Sequence, residues 1–112
     1  MDRGDVYDAR LNPTEGSEQR GTRPVVIVSR NAINDNSPVI VIVPLTDAAN
    51  TKRPYPNNVH IPADEGGLSM DSIALVGQVR AVDVSRLLRR RGTLSAGTMR
   101  AIDRALRITL DL

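Results

Sequence analysis

Short apolar runs, separated by polar stretches, make up most of the chain and have the lengths typical of β-strands. Residues 5–11 alternate between polar and apolar side chains, which is the period of a strand with one buried face. Residues 24–29 and 39–45 are continuous runs rich in Val and Ile, as expected of strands that are buried on both faces. Less regular patterns predict a short strand, a longer strand and a final one at residues 58–61, 72–82 and 89–94.

The end of the chain has a different period. From Ser95 onwards, apolar residues recur every three or four positions, which predicts an amphipathic helix with Ser95 as its N-cap. The apolar positions are Met99, Ile102, Leu106 and Leu110. Because the strands come first and do not alternate with helices, we expect a mainly β fold with a C-terminal helix. A small antiparallel barrel and a twisted sheet closed by the helix both fit this order.

The polar segments between the strands differ in length. Residues 14–22 contain no apolar side chain and form a loop that is unusually long for a hairpin. Residues 31–38 predict a turn with room for one helical turn, residues 47–57 a second polar loop, and Gly66-Gly67 a tight turn. Long loops in compact domains often carry function, so the first loop is a candidate site.

Composition limits the class of protein. A chain of 112 residues has room for one domain, which we expect to span residues 1–112. It contains no cysteine, which excludes disulfides and thiolate catalysis. No apolar run reaches the roughly 18 residues that span a membrane, and the N-terminus lacks the apolar stretch of a signal peptide. We therefore expect a cytoplasmic protein without a membrane partner.

Arginine supplies almost all of the positive charge. The net charge is only +2, and Lys52 is the single lysine among the 15 basic residues. Arginine recognises phosphate through its planar fork, so this bias fits contact with nucleic acid, but codon usage in a GC-rich genome would explain it equally well. Tyr7 and Tyr55 are the only aromatic residues, too few for a base-stacking platform.

Most familiar catalytic arrangements are missing. His60 is the only histidine, no carboxylate cluster has ligand spacing, and we expect neither a metal site nor another cofactor. His60 itself fits an exposed position on a strand. Gly66-Gly67 lacks the lysine of a phosphate-binding loop. The run Arg89–Arg91 could grip phosphate, but a charged edge strand is the better explanation.

Two polar residues remain where loops meet strands. Arg23 places a permanent cation where the long loop enters a strand, and Thr46 places a hydroxyl where a strand ends. From composition alone, a structural ion pair for Arg23 and a turn-capping hydroxyl for Thr46 explain these residues at least as well as catalysis.

Several motifs in order resemble the MazF/PemK toxin family. They are Gly-Ser-Glu-Gln-Arg-Gly-Thr-Arg-Pro at 16–24, Pro-Leu-Thr at 44–46, Gly-Gly-Leu at 66–68, the segment 72–83 and the last helix. The resemblance covers essentially the whole chain. It implies an SH3-like antiparallel β-barrel, a homodimer, and the toxin of a type II toxin–antitoxin system that cuts single-stranded RNA at specific sequences. It also implies a cognate antitoxin whose acidic tail lies across the RNA-binding groove.

The same resemblance implies roles for individual residues. Cleavage would need no metal, because the RNA 2′-hydroxyl is the nucleophile, and would leave 2′,3′-cyclic phosphate and 5′-hydroxyl ends. The catalytic residues would be Arg23, Thr46 and Glu18, with Glu18 either taking part in proton transfer or holding Arg23. The residues implied to contact RNA are Asn12, Ser17, Gln19, Arg20, Gln78 and Arg80. For Gln78 and Arg80, a structural role beside the groove fits at least as well as RNA contact.

One position departs from the family pattern. Many members carry an acidic residue immediately before the Gln that corresponds to Gln78, whereas this chain has Gly77. A mechanism that needs a carboxylate there cannot operate. A catalytically inactive binding protein therefore remains an alternative. A gyrase-directed toxin of the same fold is the other, although those toxins carry a terminal Trp-Gly-Ile and this chain has no tryptophan.

Overall fold

Seven strands and two helices form the computed structural model, which describes residues 1–51 and 55–112. The strands are β1 (Asp5–Arg10), β2 (Thr22–Ile27), β3 (Val39–Asp47), β4 (Asn58–Ile61), β5 (Ser72–Leu75), β6 (Arg80–Asp83) and β7 (Leu87–Thr93). The helices are α1 (Asn31–Asn36) and α2 (Ala96–Leu110). The expected mainly β class with a C-terminal helix is confirmed. The predicted second loop lies partly outside the described residues, since it includes residues 52–54.

The strands form one antiparallel sheet in the order β4-β5-β3-β2-β1-β7. β5 and β6 pair with successive stretches of β3, at Leu45–Asp47 and Val39–Ile42. Within the described part of the chain, the end strands β4 and β7 do not pair with each other, so the small barrel is open. β7, which carries Arg89–Arg91, is an edge strand, as its charge indicated.

The prediction of one long strand over residues 72–82 was wrong. Residues 76–78 form a 3-10 turn between β5 and β6, closed by a hydrogen bond from the Val79 N–H to the Val76 carbonyl. Gly77 contributes no side chain that could pack on a strand surface, and this weakens extended structure at that point. More buried and more exposed residues still alternate in β5 and in β6, because both strands pair with β3.

Two apolar clusters lie on opposite faces of the central strands. Val25 and Ile27 of β2 belong to one cluster, and Val26 belongs to the other, which explains why this run is continuously apolar. Helix α2 covers the second cluster with Met99, Ile102 and Ala105.

The helix begins where its sequence pattern predicted. The Ser95 hydroxyl accepts a hydrogen bond from the Thr98 N–H at 3.1 Å, which caps the first turn. At the other end, the predicted apolar position Leu110 is exposed. In the ranges that the structure describes, no helix is both long enough and apolar enough to cross a membrane.

Candidate active site

Arg23 and Thr46 line one cavity where two paired strands separate. β2 and β3 pair at Val26 with Val43 and at Val25 with Pro44. Continuing this register by two residues places Arg23 opposite Thr46, on the same face of the sheet as Val25 and Pro44. The ladder has already opened there, since Thr46 pairs with Ile73 of β5 and Arg23 pairs with Ala9 of β1. The opening leaves a gap between a guanidinium and a hydroxyl.

Arg23 is exposed, and only one nitrogen of its side chain has a partner among the described residues. Its Nε donates to the Arg20 carbonyl at 3.1 Å, which orients the guanidinium. Among the described residues, its two terminal nitrogens make neither a hydrogen bond nor an ion pair. The structural ion pair that composition allowed is therefore not formed with any described residue, and the free nitrogens point to an external anion as their partner.

Thr46 is almost buried, with 8% of its surface exposed. The turn that follows β3 is capped by its neighbour: Asp47 Oδ1 accepts from the Ala49 N–H at 2.9 Å. Thr46 is therefore not the capping residue of that turn. Thr46 lies on the wall of two cavities.

The long loop is closed at its base by backbone and side-chain contacts. The Leu11 N–H donates to the Gly21 carbonyl at 2.9 Å, and the Gly21 N–H donates to Asn12 Oδ1 at 3.1 Å. Gly21 has a positive φ of 78°, a backbone conformation that favours glycine. Asn12, an expected RNA contact, is thus occupied in holding the loop closed.

Gln78 ties the tip of the loop to the body of the protein. Its side-chain oxygen accepts from the Gln19 N–H at 2.8 Å, and its side-chain nitrogen donates to the Ser17 carbonyl at 3.3 Å. Arg80 donates from a terminal nitrogen to the Leu11 carbonyl at 3.1 Å. Both side chains therefore position the loop, whereas the side chains of Ser17 and Arg20 remain exposed to solvent.

Glu18 does not hold Arg23. Its Oε1 accepts a hydrogen bond from the Glu15 N–H at 2.6 Å, and the ion pairs within residues 1–51 and 55–112 do not include a Glu18–Arg23 pair. Glu18 instead lines a cavity of about 340 Å³ together with Gln19, Gly77 and Gln78. Glu18 thus lies on the wall of a cavity next to the loop.

A larger cavity of about 650 Å³ adjoins that space. Gln19, Gly77 and Gln78 line both cavities, and Thr46 lines the larger one. Its remaining walls come mainly from the second polar loop and the first residue of β4: Asn50, Thr51, Tyr55, Asn57 and Asn58. None of these five was among the expected site residues, although a run of amide side chains next to an aromatic ring is a signal that sequence alone contains.

Gly77 lies between the two cavities. A Cβ at this position would come 3.0 Å from Asn57 Nδ2, which itself donates to the Thr109 hydroxyl at 3.1 Å. A larger residue here would therefore have to displace Asn57. Because Gly77 has no side chain, it leaves the cavity that Glu18 lines directly beside the cavity that Thr46 lines.

The remaining candidates lie elsewhere. His60 is exposed on β4, as expected, with Nε2 3.7 Å from Asp71 Oδ2. Within the described ranges, no group of three potential metal-ligating side chains is close enough to hold an ion.

Similarities to known proteins agree with this geometry. The chain is 42% identical over 110 residues to the endoribonuclease MazF of Staphylococcus epidermidis, a match covering 98% of this chain and 91% of that protein. It is 25% identical to the crystal structure of MazF from Deinococcus radiodurans, with a TM-score of 0.85 and coverage of 100% and 97%. A mycobacterial endoribonuclease in complex with its cognate antitoxin is 28% identical, with a TM-score of 0.81 and coverage of 100% and 96%. The family of PemK-like, MazF-like toxins of type II toxin–antitoxin systems matches residues 2–110, and the chain belongs to that family.

Proposed function

We propose that this chain is the toxin of a type II toxin–antitoxin system and a sequence-specific endoribonuclease that cuts single-stranded RNA without a metal ion. The observation that carries the proposal is that Arg23 and Thr46 line the same cavity at the opening between β2 and β3, and that the terminal nitrogens of Arg23 have no partner among the described residues. A phosphate in this gap meets a permanent cation on one side and a hydroxyl on the other.

Each residue has a role that its chemistry allows. The RNA 2′-hydroxyl gives up its proton and attacks the adjacent phosphorus, while the bond to the 5′-oxygen of the next nucleotide breaks and this oxygen takes a proton from solvent. The products are 2′,3′-cyclic phosphate and 5′-hydroxyl ends. Arg23 stabilises the extra negative charge that develops on the phosphate in the transition state. The Thr46 hydroxyl donates to a non-bridging oxygen and orients the phosphate for attack along the line of the leaving bond.

Glu18 is our candidate for the proton acceptor. An arginine guanidinium is a permanent cation and is therefore poorly suited to act as a base. Gly77 offers no carboxylate, and Oδ1 of Asp47, which lines a cavity with Thr46, is engaged by the Ala49 N–H. Glu18 lines the cavity that adjoins the larger one beside Thr46, and as a base it would exchange its hydrogen bond from the Glu15 N–H for one from the 2′-hydroxyl of the RNA.

RNA recognition is assigned to the exposed loop and the larger cavity. Ser17 and Arg20 are exposed beside Gln19 and can contact the RNA backbone and base edges. The amides of Asn50, Asn57 and Asn58 can read base edges, and Tyr55 offers one ring on which a base can stack. Asn12, Gln78 and Arg80 act on the RNA indirectly, through the loop that they hold.

The family supplies the proposed partners. Relatives with the same fold include an endoribonuclease in complex with its cognate antitoxin, so we expect an antitoxin with an acidic tail to cover the groove of this chain. We also expect a homodimer, a single functional domain over residues 1–112, and action in the cytoplasm, where the RNA substrate is.

The decisive experiment is incubation of the purified protein with a long single-stranded RNA in EDTA, followed by mapping of the new 5′ ends. We expect discrete cuts with 5′-hydroxyl ends for the wild type, and none for Arg23→Ala. Arg30→Ala is the matched control, because Arg30 is an exposed arginine at the start of α1, away from both cavities, and it should cut like the wild type. RNA that is bound but left intact at high protein concentration would favour an inactive binding protein.

A further inference from the structure

A second arginine lines the space beside the candidate active site. Arg91 belongs to β7, which is three positions from β3 in the sheet, yet it contributes to a cavity of about 180 Å³ that Arg23 and Thr46 also line. Its side chain is only 20% exposed. The guanidinium is therefore held in place rather than left to move in solvent.

Close backbone packing brings Arg91 to this position. A Cβ on Gly67 would lie 2.1 Å from the Arg91 carbonyl oxygen, and a Cβ on Gly92 would lie 2.6 Å from the Gly66 carbonyl carbon. Only glycine permits such an approach, so the Gly66-Gly67 turn rests directly on β7. The Gly67 carbonyl then accepts from Arg91 Nε at 3.3 Å and from a terminal nitrogen at 3.1 Å.

The charge around Arg91 is incompletely compensated. Its other terminal nitrogen donates to Asp8 Oδ1 at 3.2 Å, and Asp8 also pairs with Arg89 at 3.3 Å. One carboxylate thus serves two guanidinium groups, which leaves a net positive charge. These contacts use one hydrogen on each nitrogen of Arg91, so each terminal nitrogen keeps one further hydrogen for a ligand.

The ligand must tolerate one nearby carboxylate. Asp47 also lines the cavity, although its Oδ1 is engaged by the Ala49 N–H. The charged side chains that line the cavity are Arg23, Arg91 and Asp47, which together carry one net positive charge. The site therefore favours an anion.

Arg91 approaches the cavity from a different side than Arg23. Asp8, which holds Arg91, is the cross-strand partner of Pro24, whereas Arg23 is the partner of Ala9. Neighbouring residues of a strand point to opposite faces of the sheet, so Asp8 and Arg23 point to opposite faces. Arg91, which Asp8 holds, therefore reaches the cavity from the face opposite to that of Arg23.

We propose that Arg91 is a phosphate-binding residue of the RNA site and that it contacts the phosphate next to the one that is cut. This inference rests on the proposed endoribonuclease function and adds a residue to its substrate-binding site. An RNA strand that passes through the opening places one phosphate between Arg23 and Thr46 and the adjacent one at Arg91. Arg91 then contributes binding energy equally to the bound substrate and to the transition state.

The test uses an RNA that contains the mapped cut site, with a 2′-deoxynucleotide replacing the one whose hydroxyl attacks. This RNA binds but cannot be cut, so its Kd can be measured over a series of salt concentrations. Loss of one phosphate contact on a single strand lowers the slope of log Kd against log salt by about 0.7. We expect this decrease for Arg91→Gln, with binding weakened about tenfold at low salt.

Arg89→Gln is the matched control. Arg89 shares Asp8 with Arg91 but is 72% exposed and does not line the cavity. Arg89→Gln should keep the wild-type slope. Arg91→Lys, which retains the positive charge, should have nearly the wild-type slope as well. With the cleavable RNA, Arg91→Gln should raise KM and leave kcat unchanged, as expected when uniform binding is lost.

Two results would overturn the proposal: a wild-type slope for Arg91→Gln, or equal slope changes for Arg91→Gln and Arg89→Gln. If Arg91→Gln does not fold, comparison of Arg89→Gln with Asp8→Asn/Arg89→Gln decides the question. Removing the carboxylate releases the charge of Arg91, so the double variant must bind the RNA more tightly. Failure of the wild type to cut any RNA would instead contradict the proposed function, whatever the Arg91 variants do.

Discussion

Two glutamates of the long loop stand three residues apart and have different surroundings. Glu15 is exposed and contributes its backbone N–H to the loop, whereas Glu18 accepts that N–H and lines a cavity. An amide at position 18 can still accept the hydrogen bond from Glu15, but it cannot take up a proton. A single substitution, Glu18→Gln, therefore removes the proposed proton acceptor and keeps the hydrogen bond within the loop.

We expect Glu18→Gln to fold like the wild type and to cut RNA about 100-fold more slowly, the usual loss when a proton acceptor is removed. The measurement is the single-turnover cleavage rate across a range of pH. Glu15→Gln is the control and should cut at the wild-type rate. Equal rates for Glu18→Gln and the wild type would remove Glu18 from the mechanism.

Asp5 contributes to stability through its charge. It is 5% exposed. Burial raises its pKa, but hydrogen bonds from the Asp2 N–H, Thr93 and Arg90 together outweigh burial, and the pKa lies below the ordinary 3.8. A carboxyl with a lowered pKa in the folded state stabilises the protein above 3.8, and this contribution disappears as the pH falls through the folded-state pKa.

Asp5→Asn should therefore be less stable than the wild type at pH 7, and the difference should narrow as the pH is lowered below 3.8. Urea unfolding at pH 7 and at several acidic values gives the two free energies of unfolding. Asp2→Asn serves as the control, because its side chain is exposed. A constant difference between the wild type and Asp5→Asn at all pH values would show that Asp5 acts through something other than its charge.

At the scale of elements, the short helix α1 is fastened by one buried side chain. Asn34 is 7% exposed and donates to the Ser29 carbonyl at 2.9 Å. The Ser29 hydroxyl donates to Asn34 Oδ1 at 2.5 Å and accepts from the Val41 N–H at 3.1 Å. A six-residue helix is too short to be stable alone, so this network joins it to β3.

Asn34→Ala leaves buried partners without a hydrogen bond and should lower the free energy of unfolding by about 1–3 kcal/mol. Asn36→Ala, in the same helix but exposed, should change it by about 0.5 kcal/mol or less. Chemical denaturation of the two variants provides the comparison. Similar values for both would mean that the buried network does not anchor α1.

The elements also show what sequence can and cannot predict. β2 and β3 were recognisable because both faces are covered, which produces continuous apolar runs. The break between β5 and β6 was not recognisable, because the alternation of residues 72–82 is compatible with one strand. The turn at residues 76–78 depends on how the two strands pair with β3.

The same distinction applies to the candidate site. Arg23 and Thr46 could be singled out as polar residues at strand ends, and the family motifs indicated their roles. That both line one cavity depends on the register of β2 against β3, which no local pattern contains. Arg91 was treated as part of a charged edge, because its contacts with Gly67 and Asp8 come from residues distant in sequence.

At the scale of the whole molecule, helix α2 joins segments that are far apart in the chain. Ile102 is fully buried in a cluster to which β1, β2, β3, β4 and β5 all contribute. Arg3, near the N-terminus, pairs with Asp103 at 2.5 Å and donates to the Val28 carbonyl at 2.8 Å. Because these contacts connect both ends of the chain to the central strands, we expect the described structure to unfold as one cooperative unit.

Ile102→Ala tests this expectation, because it removes a side chain from the point where these segments meet. It should lower the free energy of unfolding by about 2–5 kcal/mol, and loss of RNA cleavage on heating should follow loss of helical signal at the same temperature. Ile108→Ala is the matched control: the residue is in the same helix but 59% exposed, so the expected loss is about 0.5 kcal/mol or less. Cleavage that persists after the helical signal is lost would show that the sheet and its site are stable without α2. A large loss for Ile108→Ala would mean instead that the outer face of α2 is covered in solution, which would place a second copy of the chain on this helix.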